Sequence, residues 1–178
     1  MKRLVLIMFS SLWFHQSVVA FPAERFPIPP ASANRLFYIQ RSSNANTVVY
    51  DANILSNKSL NPNQPVHTYW IRYADKGQKE ELNLIQRTLA YGLYTNKIKD
   101  EINSFEGYFL AYRKRKFVVK LNAKNQAIAL FPINGKLQIL EHVFVNVDES
   151  GFTPNVIYIE LFGKDEVTNK DVYERFKP

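Results

Sequence analysis

Cysteine is absent from the 178 residues, and glycine occurs only six times. Without cysteine the chain forms no disulfide, and both thiol catalysis and thiolate metal sites are excluded. Few glycines beside ten tyrosines and thirteen phenylalanines indicate a sheet protein with large side chains packed on its faces. The chain is nevertheless long enough to bury a sizeable core without disulfide support.

Long apolar runs are also missing. A membrane-spanning helix needs about 20 consecutive apolar residues, and the longest run here, residues 4–14, is shorter and interrupted by serines. Lys2 and Arg3 precede this run, and Val18-Val19-Ala20 follows it with small residues at the two positions that a signal peptidase reads. This order predicts a signal peptide over residues 1–20, cleaved after Ala20, rather than a membrane anchor.

The remaining 158 residues carry a formal net charge of +5, because the predicted signal contains two of the positive charges and no acidic residue. We expect a periplasmic or extracellular protein, and an exported chain without cysteine fits a bacterial envelope best. The charge favours an anionic partner such as a lipid headgroup, a polysaccharide or a phosphorylated ligand. No nucleic-acid motif occurs, and the absence of glycine-rich phosphate loops and metal motifs predicts no cofactor.

The rest of the chain divides into three parts. Residues 21–35 contain four prolines and predict an extended lead-in that does not pack as an element. Residues 36–163 predict a single β-rich domain. Residues 164–178 are charged and predict an irregular C-terminal tail, with at most a short helical turn.

Alternating polar and apolar residues predict about eight strands in the β-rich domain. The predicted strands are Leu36–Arg41, Thr47–Leu55, His67–Ala74, Phe105–Tyr112, Lys116–Leu121, Ala127–Ile133, Lys136–Val147 and Val156–Phe162. Apolar residues at helical spacing predict one helix over about 79–91, inserted after the third strand. The predicted fold is mainly β (α+β), an antiparallel barrel or sandwich with the helix plugging or flanking it.

Four segments carry a resemblance to a known family. They are Phe37–Ser42, Val48–Asn53, Pro65–Tyr73 and Tyr158–Gly163, and Tyr69-Trp70-Ile71-Arg72-Tyr73 is the most specific part. Together they resemble an exported bacterial family described as a domain of unknown function (DUF4833-like). The resemblance covers most of the chain after residue 20. It implies one domain and export, and it implies no activity.

Charged residues interrupt strand faces that are otherwise apolar. Arg72 shares a predicted face with Trp70, Arg113 follows the apolar residues of its strand, and Glu141 and Glu160 interrupt two later strands. Since buried charge is costly unless paired, these residues either pair with one another or line a ligand cavity. A bulge that turns Glu141 outward, with both arginines at strand ends in water, would equally account for the pattern.

Two further groups have the same ambiguity. Tyr69, Trp70 and Tyr73, with Tyr50 and Tyr38, either pack in the core or form an aromatic platform for a sugar or aliphatic ligand. Arg113-Lys114-Arg115-Lys116 is predicted at a hairpin tip, where it is either a solvated turn or a contact for an envelope polyanion.

Histidine chemistry has little support. After the predicted signal only His67 and His142 remain, and no spacing rule links either to a nucleophile. Glu141 and His142 are neighbours, so a regular strand points them to opposite faces. The sequence therefore favours a non-catalytic binding module for a small anionic or amphiphilic ligand or an envelope polyanion. The alternatives are an exported hydrolase or lyase using His67 or His142 with Glu141 or Glu160, and a structural partner in an envelope complex.

Overall fold

The computed structural model describes residues 26–151 and 154–178, so the predicted signal peptide and residues 21–25 of the lead-in lie outside the described residues. The chain is mainly β, with 56% of residues in strands and 5% in helix, and its sheet curls into a half-barrel. The predicted β class is confirmed, whereas a closed antiparallel barrel is wrong.

Eleven strands follow one another along the described residues. They are β1 (Arg35–Arg41), β2 (Asn44–Ala52), β3 (Val66–Ile71), β4 (Lys79–Glu81), β5 (Leu93–Lys97), β6 (Ser104–Phe109), β7 (Tyr112–Leu121), β8 (Ala127–Ile133), β9 (Lys136–Asp148), β10 (Asn155–Lys164) and β11 (Asp171–Phe176). The turn between β8 and β9 has positive φ at Asn134 (51°) and Gly135 (76°), as a tight hairpin requires.

Strand β9 joins the two halves of the sheet. The strand order is β4-β3-β2-β1-β9-β8-β7-β6-β5. Residues 136–139 of β9 pair with β8, and residues 142–145 pair in parallel with β1. β10 lies along the opposite edge of β9, and β11 lies beyond β10. The parallel contact sets Tyr38 beside His142, and hydrophobic alternation does not encode such a long-range pairing.

The larger apolar cluster lies on one face of the sheet, here called the inner face. Ile39, Val48 and Trp70 align across β1, β2 and β3, and all three are buried. Phe37 stacks on Tyr50 with the ring centroids 4.4 Å apart, and neither residue is more than 1% exposed. Removing one such ring from a core costs about 3–5 kcal/mol, so this row anchors the N-terminal half of the sheet.

The opposite, outer face carries a smaller cluster on β2 and β3. Val49, Tyr69 and Ile71 are buried there, and Tyr38 and Tyr73 pack against them. β2 is therefore covered on both faces, which explains why its residues 47–50 form an unbroken buried run instead of alternating.

The described part of the lead-in packs on this outer face, although the sequence predicts an unpacked segment. Pro29 is buried. The Gln40 Nε2 donates to the Pro27 carbonyl at 3.0 Å, and the Tyr73 hydroxyl donates to the Ile28 carbonyl at 3.3 Å. Side-chain donors thus hold a segment whose prolines cannot donate to a sheet.

The predicted helix is wrong over its first part. Lys79–Glu81 form the edge strand β4 opposite Tyr69–Ile71, and a π-helical turn occupies Gln86–Ala90. The apolar residues that predicted the helix do not share one buried face, because Leu82 is 3% exposed whereas Leu89 is 67% exposed. Among the described residues, none of the helical segments is long and apolar enough to cross a membrane.

The basic run and the C-terminal segment also differ from their predictions. The chain turns at residues 110–111, so Arg113–Lys116 lie inside β7 and not at a hairpin tip. Residues 171–176 form β11 instead of an irregular tail, and they pair with β10 from Ile159 to Lys164. Both errors have the same cause. These strands contain many charged residues and lack a clear alternation of polar and apolar residues, and they are stabilised by backbone pairing with neighbouring strands.

Candidate functional site

Arg41 ends strand β1 at one end of the inner core. The parallel register with β9 sets Ile39 beside Val143 and Arg41 beside Val145. Because both valines belong to the inner cluster, Arg41 continues the inner row that Ile39 begins. The arginine is half-buried, and its stem therefore packs beside apolar residues.

Two aromatic rings enclose the Arg41 guanidinium. Its central carbon lies 5.6 Å from the Trp70 ring centroid and 5.7 Å from that of Tyr91. Trp70 and Tyr91 meet edge to face with centroids 5.0 Å apart. Tyr91 follows the π-helical turn, and its carbonyl accepts a 2.9 Å hydrogen bond from the Tyr50 hydroxyl. Cation–π attraction therefore holds the Arg41 guanidinium against these two rings, whose positions are set by packing in the core.

Two donor atoms at this site have no acceptor in the described part of the chain. The Arg41 Nε and the Trp70 Nε1 are both buried without a hydrogen-bond partner. No carboxylate oxygen of the described residues lies within 4.0 Å of the Arg41 guanidinium. An unsatisfied buried donor costs about 1–3 kcal/mol, so two of them at one site favour an acceptor from outside the described residues.

Tyr91 adds a third donor to this group. Burial raises the pKa of its hydroxyl, although the neighbouring Arg41 guanidinium lowers it, and the Glu149 carboxylate raises it further. The hydroxyl therefore stays protonated at neutral pH. We call Arg41, Trp70 and Tyr91 the Arg41 site. It presents a guanidinium, an indole N–H and a phenol, which together suit a carboxylate or a phosphate.

Arg72, which the sequence analysis selected, lies beside this site. Its guanidinium carbon is 5.9 Å from the Trp70 ring, so the predicted shared face with Trp70 is observed. Its Nε is 3.2 Å from Asp75 and 3.6 Å from Glu80. Two carboxylates therefore neutralise Arg72, and the uncompensated charge belongs to Arg41.

Tyr38, Tyr69 and Tyr73 lie on the outer face of the sheet. Tyr69 donates from its hydroxyl to the Asp51 Oδ2 at 2.9 Å, and burial followed by this hydrogen bond raises its pKa. Tyr73 binds the lead-in. Trp70 and Tyr50 belong instead to the cluster on the inner face.

Glu160 is satisfied within its own sheet. It is 2% exposed, and its Oε1 accepts from the Tyr173 hydroxyl at 2.7 Å and from the Arg175 Nε and Nη2 at 3.0 and 2.7 Å. Strand β11 supplies both donors, so the carboxylate pairs with neither Arg72 nor Arg113.

Glu141 is turned outward by a bulge. Opposite β9, Phe162 pairs with His142 and Gly163 pairs with Leu140, so Glu141 is the extra residue. Its carboxylate faces solvent 4.0 Å from the Lys164 Nζ, and its pKa is raised by burial against the pull of Lys164. Gly163 permits this geometry, because a β-carbon there would overlap the Ile139 carbonyl oxygen.

The two histidines lie apart. His142 is stacked between Tyr38 and Phe162, at centroid distances of 4.4 and 5.1 Å, and its Nε2 has no partner in the described chain. Burial lowers its pKa to about 4, with Glu160 acting in the opposite direction. His67 is on the exposed side of β3, and its Nε2 is 2.7 Å from the Glu81 Oε1.

Glu81 also borders a cavity of about 180 Å³ between β3 and β5, here called the seam pocket. Its lining residues are Asn63, Gln64, Pro65, Val66, Thr68, Glu81, Leu82, Arg87, Gly92, Leu93 and Thr95. The pocket therefore mixes hydroxyl, amide and charged groups with an apolar floor.

The basic run is dispersed by the strand geometry. Arg115 forms a bidentate pair with Glu174 at 3.0 and 2.7 Å, which raises the pKa of the guanidinium, and it also lies over Phe176. Lys116 pairs with Glu106 at 3.2 Å. Arg113 and Lys114 lie over Tyr108 and Tyr112. The run is thus divided among separate contacts and does not form one cationic point.

Sequence reasoning missed two members of the Arg41 site. The alternation Phe37, Ile39, Arg41 contained the same signal that selected Arg72, a charge continuing an apolar face. Tyr91 carried no such signal, because its position depends on the turn that brings it against Trp70. Among the described residues, no group of histidines and carboxylates is arranged to hold a metal ion.

Comparison with known proteins gives one match. A family model with the description "Domain of unknown function (DUF4833)" matches residues 37–175. No curated protein and no solved structure matches the chain.

Proposed function

Because the chain belongs to the family described as domain of unknown function (DUF4833), we propose its function from the Arg41 site: it is a non-catalytic binding module for a small anion. The anion is a carboxylate or phosphate group, alone or as the head of an amphiphile. The observation that carries the proposal is the pair of buried donors without acceptors, the Arg41 Nε and the Trp70 Nε1.

The chemistry of the site favours binding over turnover. A guanidinium offers a planar set of donors that matches a carboxylate or phosphate, and its charge persists at every accessible pH. The neighbouring rings keep water from one side of the guanidinium and strengthen its interaction with an anion. Arg72 extends the positive potential at the rim, although Asp75 and Glu80 reduce its effect.

The proposal includes export. The positive start, the apolar run and the small residues before position 21 support a signal peptide, and a cysteine-free exported chain suits a bacterial periplasm. The ligand then belongs to the envelope or to the medium outside the cell.

Tryptophan fluorescence gives a direct test. Trp13 lies in the predicted signal peptide, so in the exported protein the emission comes from Trp70 alone. Inorganic phosphate and butyrate are the two probes, titrated at low ionic strength. We expect one or both to change the Trp70 emission with saturation, and Arg41→Gln to weaken that binding about tenfold or more, since a charged hydrogen bond is worth about 1.5–3 kcal/mol.

The matched control is Arg113→Gln, which removes the same charge from an exposed position on β7. It should leave the titration unchanged. Equal weakening by both variants would mean that net charge alone attracts the anion, and no saturable change in the wild type would remove the support for the site.

A second candidate function is hydrolysis at the seam pocket. It is favoured by the His67–Glu81 pair, whose carboxylate borders the cavity beside the Thr68 and Thr95 hydroxyls. Both members of the pair are open to water, with exposed fractions of 44% and 62%. Chromogenic acetate and phosphate esters test it: turnover abolished by His67→Gln would support hydrolysis, and turnover unaffected by that change would end the assignment.

A further inference from the structure

The outer face of β1–β3 carries an aromatic surface that is separate from the Arg41 site. Tyr69 is buried, and Tyr38 and Tyr73 pack beside it over Val49 and Ile71. We call these five residues the tyrosine face. Three tyrosines on one sheet face combine broad apolar rings with polar hydroxyl groups, which suits a ligand that has both an apolar surface and exposed carbonyls.

The lead-in segment Pro27-Ile28-Pro29-Pro30 is restricted to an extended form. Each proline fixes its own φ near −65°, and a residue that precedes proline avoids the helical region. Phe26, Ile28 and Pro29 all precede a proline, so the segment is predisposed to polyproline II geometry. It has no regular hydrogen-bonded structure in the fold, which agrees with that geometry.

Three side chains donate hydrogen bonds to backbone carbonyl groups of this segment. The Gln40 Nε2 donates to the Pro27 oxygen at 3.0 Å and the Tyr73 hydroxyl to the Ile28 oxygen at 3.3 Å. The Arg35 Nη2 donates to the Pro30 oxygen at 3.2 Å. Pro29 is buried between these contacts. The sheet thus recognises the backbone of a proline-rich segment through donors on three different side chains.

The contacts leave the non-proline side chain of the segment free. Ile28 is 62% exposed, so its carbonyl is bound while its side chain is not enclosed. Recognition therefore depends on the prolines and the carbonyls and tolerates other residues at this position. Docking of an extended proline-rich peptide on an aromatic surface is a recurrent mode of peptide recognition, helped by the low entropy of the preformed ligand.

We propose that the tyrosine face is a binding site for proline-rich extended peptides and that the lead-in occupies it in cis. The partner is a proline-rich segment of another protein with the pattern Pro-x-Pro-Pro. The site is independent of the Arg41 site, which lies on the opposite face of the same strands. The lead-in acts as a tethered competitor, and a partner binds where the lead-in is weakened or displaced.

The test uses the full chain with the tethered competitor weakened. In Pro27→Ala/Pro29→Ala/Pro30→Ala the segment keeps its length but loses its preset geometry. The probe is a fluorescein-labelled peptide with the sequence of residues 24–33, ERFPIPPASA. We expect fluorescence anisotropy to show binding to the triple variant about tenfold or more tighter than to the wild type, because a short tether supplies an effective concentration of order mM.

Two controls identify the surface. Tyr73→Phe in the triple variant removes the hydroxyl that binds the Ile28 carbonyl and should weaken the peptide by several-fold. Tyr94→Phe removes the hydroxyl of an exposed tyrosine on β5 and should have no effect. A peptide with alanine at all three proline positions should not bind.

Three outcomes would overturn the proposal. The first is a folded triple variant that does not bind the peptide. The second is equal binding of the proline and alanine peptides. The third is a triple variant that binds no peptide and forms a dimer by exchanging lead-ins. If the triple variant does not fold, Ile28→Cys replaces it, since the chain has no other cysteine. A nitroxide at this position should then become mobile when excess peptide is added, and an unchanged spectrum would equally contradict the proposal.

Discussion

At the scale of single residues, Arg35 and Arg41 both lie on β1, but they differ in whether a carboxylate compensates their charge. The Arg35 Nε is 2.6 Å from the Asp51 Oδ1, so its charge is compensated. Arg41 keeps a buried Nε with no acceptor in the described chain. A group that is unfavourable for the unliganded fold and well placed for a ligand is a common mark of a functional position.

The first prediction compares these two arginines. Arg41→Met keeps the apolar stem and removes the unsatisfied donor, so the free energy of unfolding without ligand should rise by about 1 kcal/mol. Arg35→Met leaves the half-buried Asp51 without its cationic partner, with only the Tyr69 hydroxyl as a side-chain donor, and should lower the free energy of unfolding by about 1–3 kcal/mol. Urea denaturation of both variants measures the two changes. A loss of stability in Arg41→Met would indicate that the fold itself uses this charge.

The second prediction concerns His142. Its pKa is about 4 in the folded chain against an ordinary 6.5, so between these pH values the unfolded chain binds a proton that the folded chain does not. This contribution to the free energy of unfolding is fully present above about pH 6.5. It is lost as pH falls towards 4, where the free energy of unfolding is lower by up to roughly 3 kcal/mol. Glu160 on β10 and Arg175 on β11 pair with each other at 2.7 Å.

Urea denaturation between pH 4 and pH 7 measures this dependence. His142→Phe keeps a ring between Tyr38 and Phe162 and should flatten the stability profile. His67→Phe is the matched control, because it removes a histidine ring from a position that is 44% exposed. A profile equally steep in His142→Phe would assign the dependence to other groups.

At the scale of elements, strands β10 and β11 are joined by a buried carboxylate. Glu160 comes from β10, and Tyr173 and Arg175 come from β11. Arg175→Met should lower the free energy of unfolding, because the buried Glu160 carboxylate loses two of its three hydrogen-bond donors. Glu160→Gln combined with Arg175→Met should lose less than the sum of the two single changes, and exact additivity in urea denaturation would show that the pair is not coupled.

Prediction from sequence succeeded for elements that alternation and turn chemistry define locally. Strand β8 was predicted with its observed ends, and Asn134-Gly135 after it forms the tight turn that this dipeptide favours. It failed at β4 and β11, which are rich in charged residues and are stabilised by pairing with β3 and β10. The candidate site was recovered only through Trp70 and its rim residue Arg72, because Arg41 and Tyr91 are brought to Trp70 by the register of β1 with β9 and by the turn before β5.

At the scale of the whole molecule, the half-barrel presents two separate faces, each with a proposed binding site. The inner face ends in the Arg41 site, and the outer face holds the lead-in on the tyrosine face. If cleavage follows Ala20, the lead-in becomes the N-terminal segment of the exported protein. Export and the arrangement of the outer face would then be linked through residues 21–35.

The fourth prediction tests that cleavage. Expression of the full chain in a bacterial host with an intact secretion system should yield a periplasmic protein whose intact mass corresponds to residues 21–178. Replacing Ala20 with a large residue, as in Ala20→Leu, should leave a longer protein in the membrane fraction. Recovery of the unprocessed wild-type chain in the cytoplasm would contradict export.

The central claim is that the Arg41 site holds a small anion, and native mass spectrometry tests it most directly. The wild-type protein and Arg41→Gln are purified side by side from the bacterial envelope, and each native mass is compared with the denatured mass. The account predicts an additional mass on the wild type that is lost on denaturation and is absent from Arg41→Gln. The same additional mass on both proteins, or none on either, would contradict it.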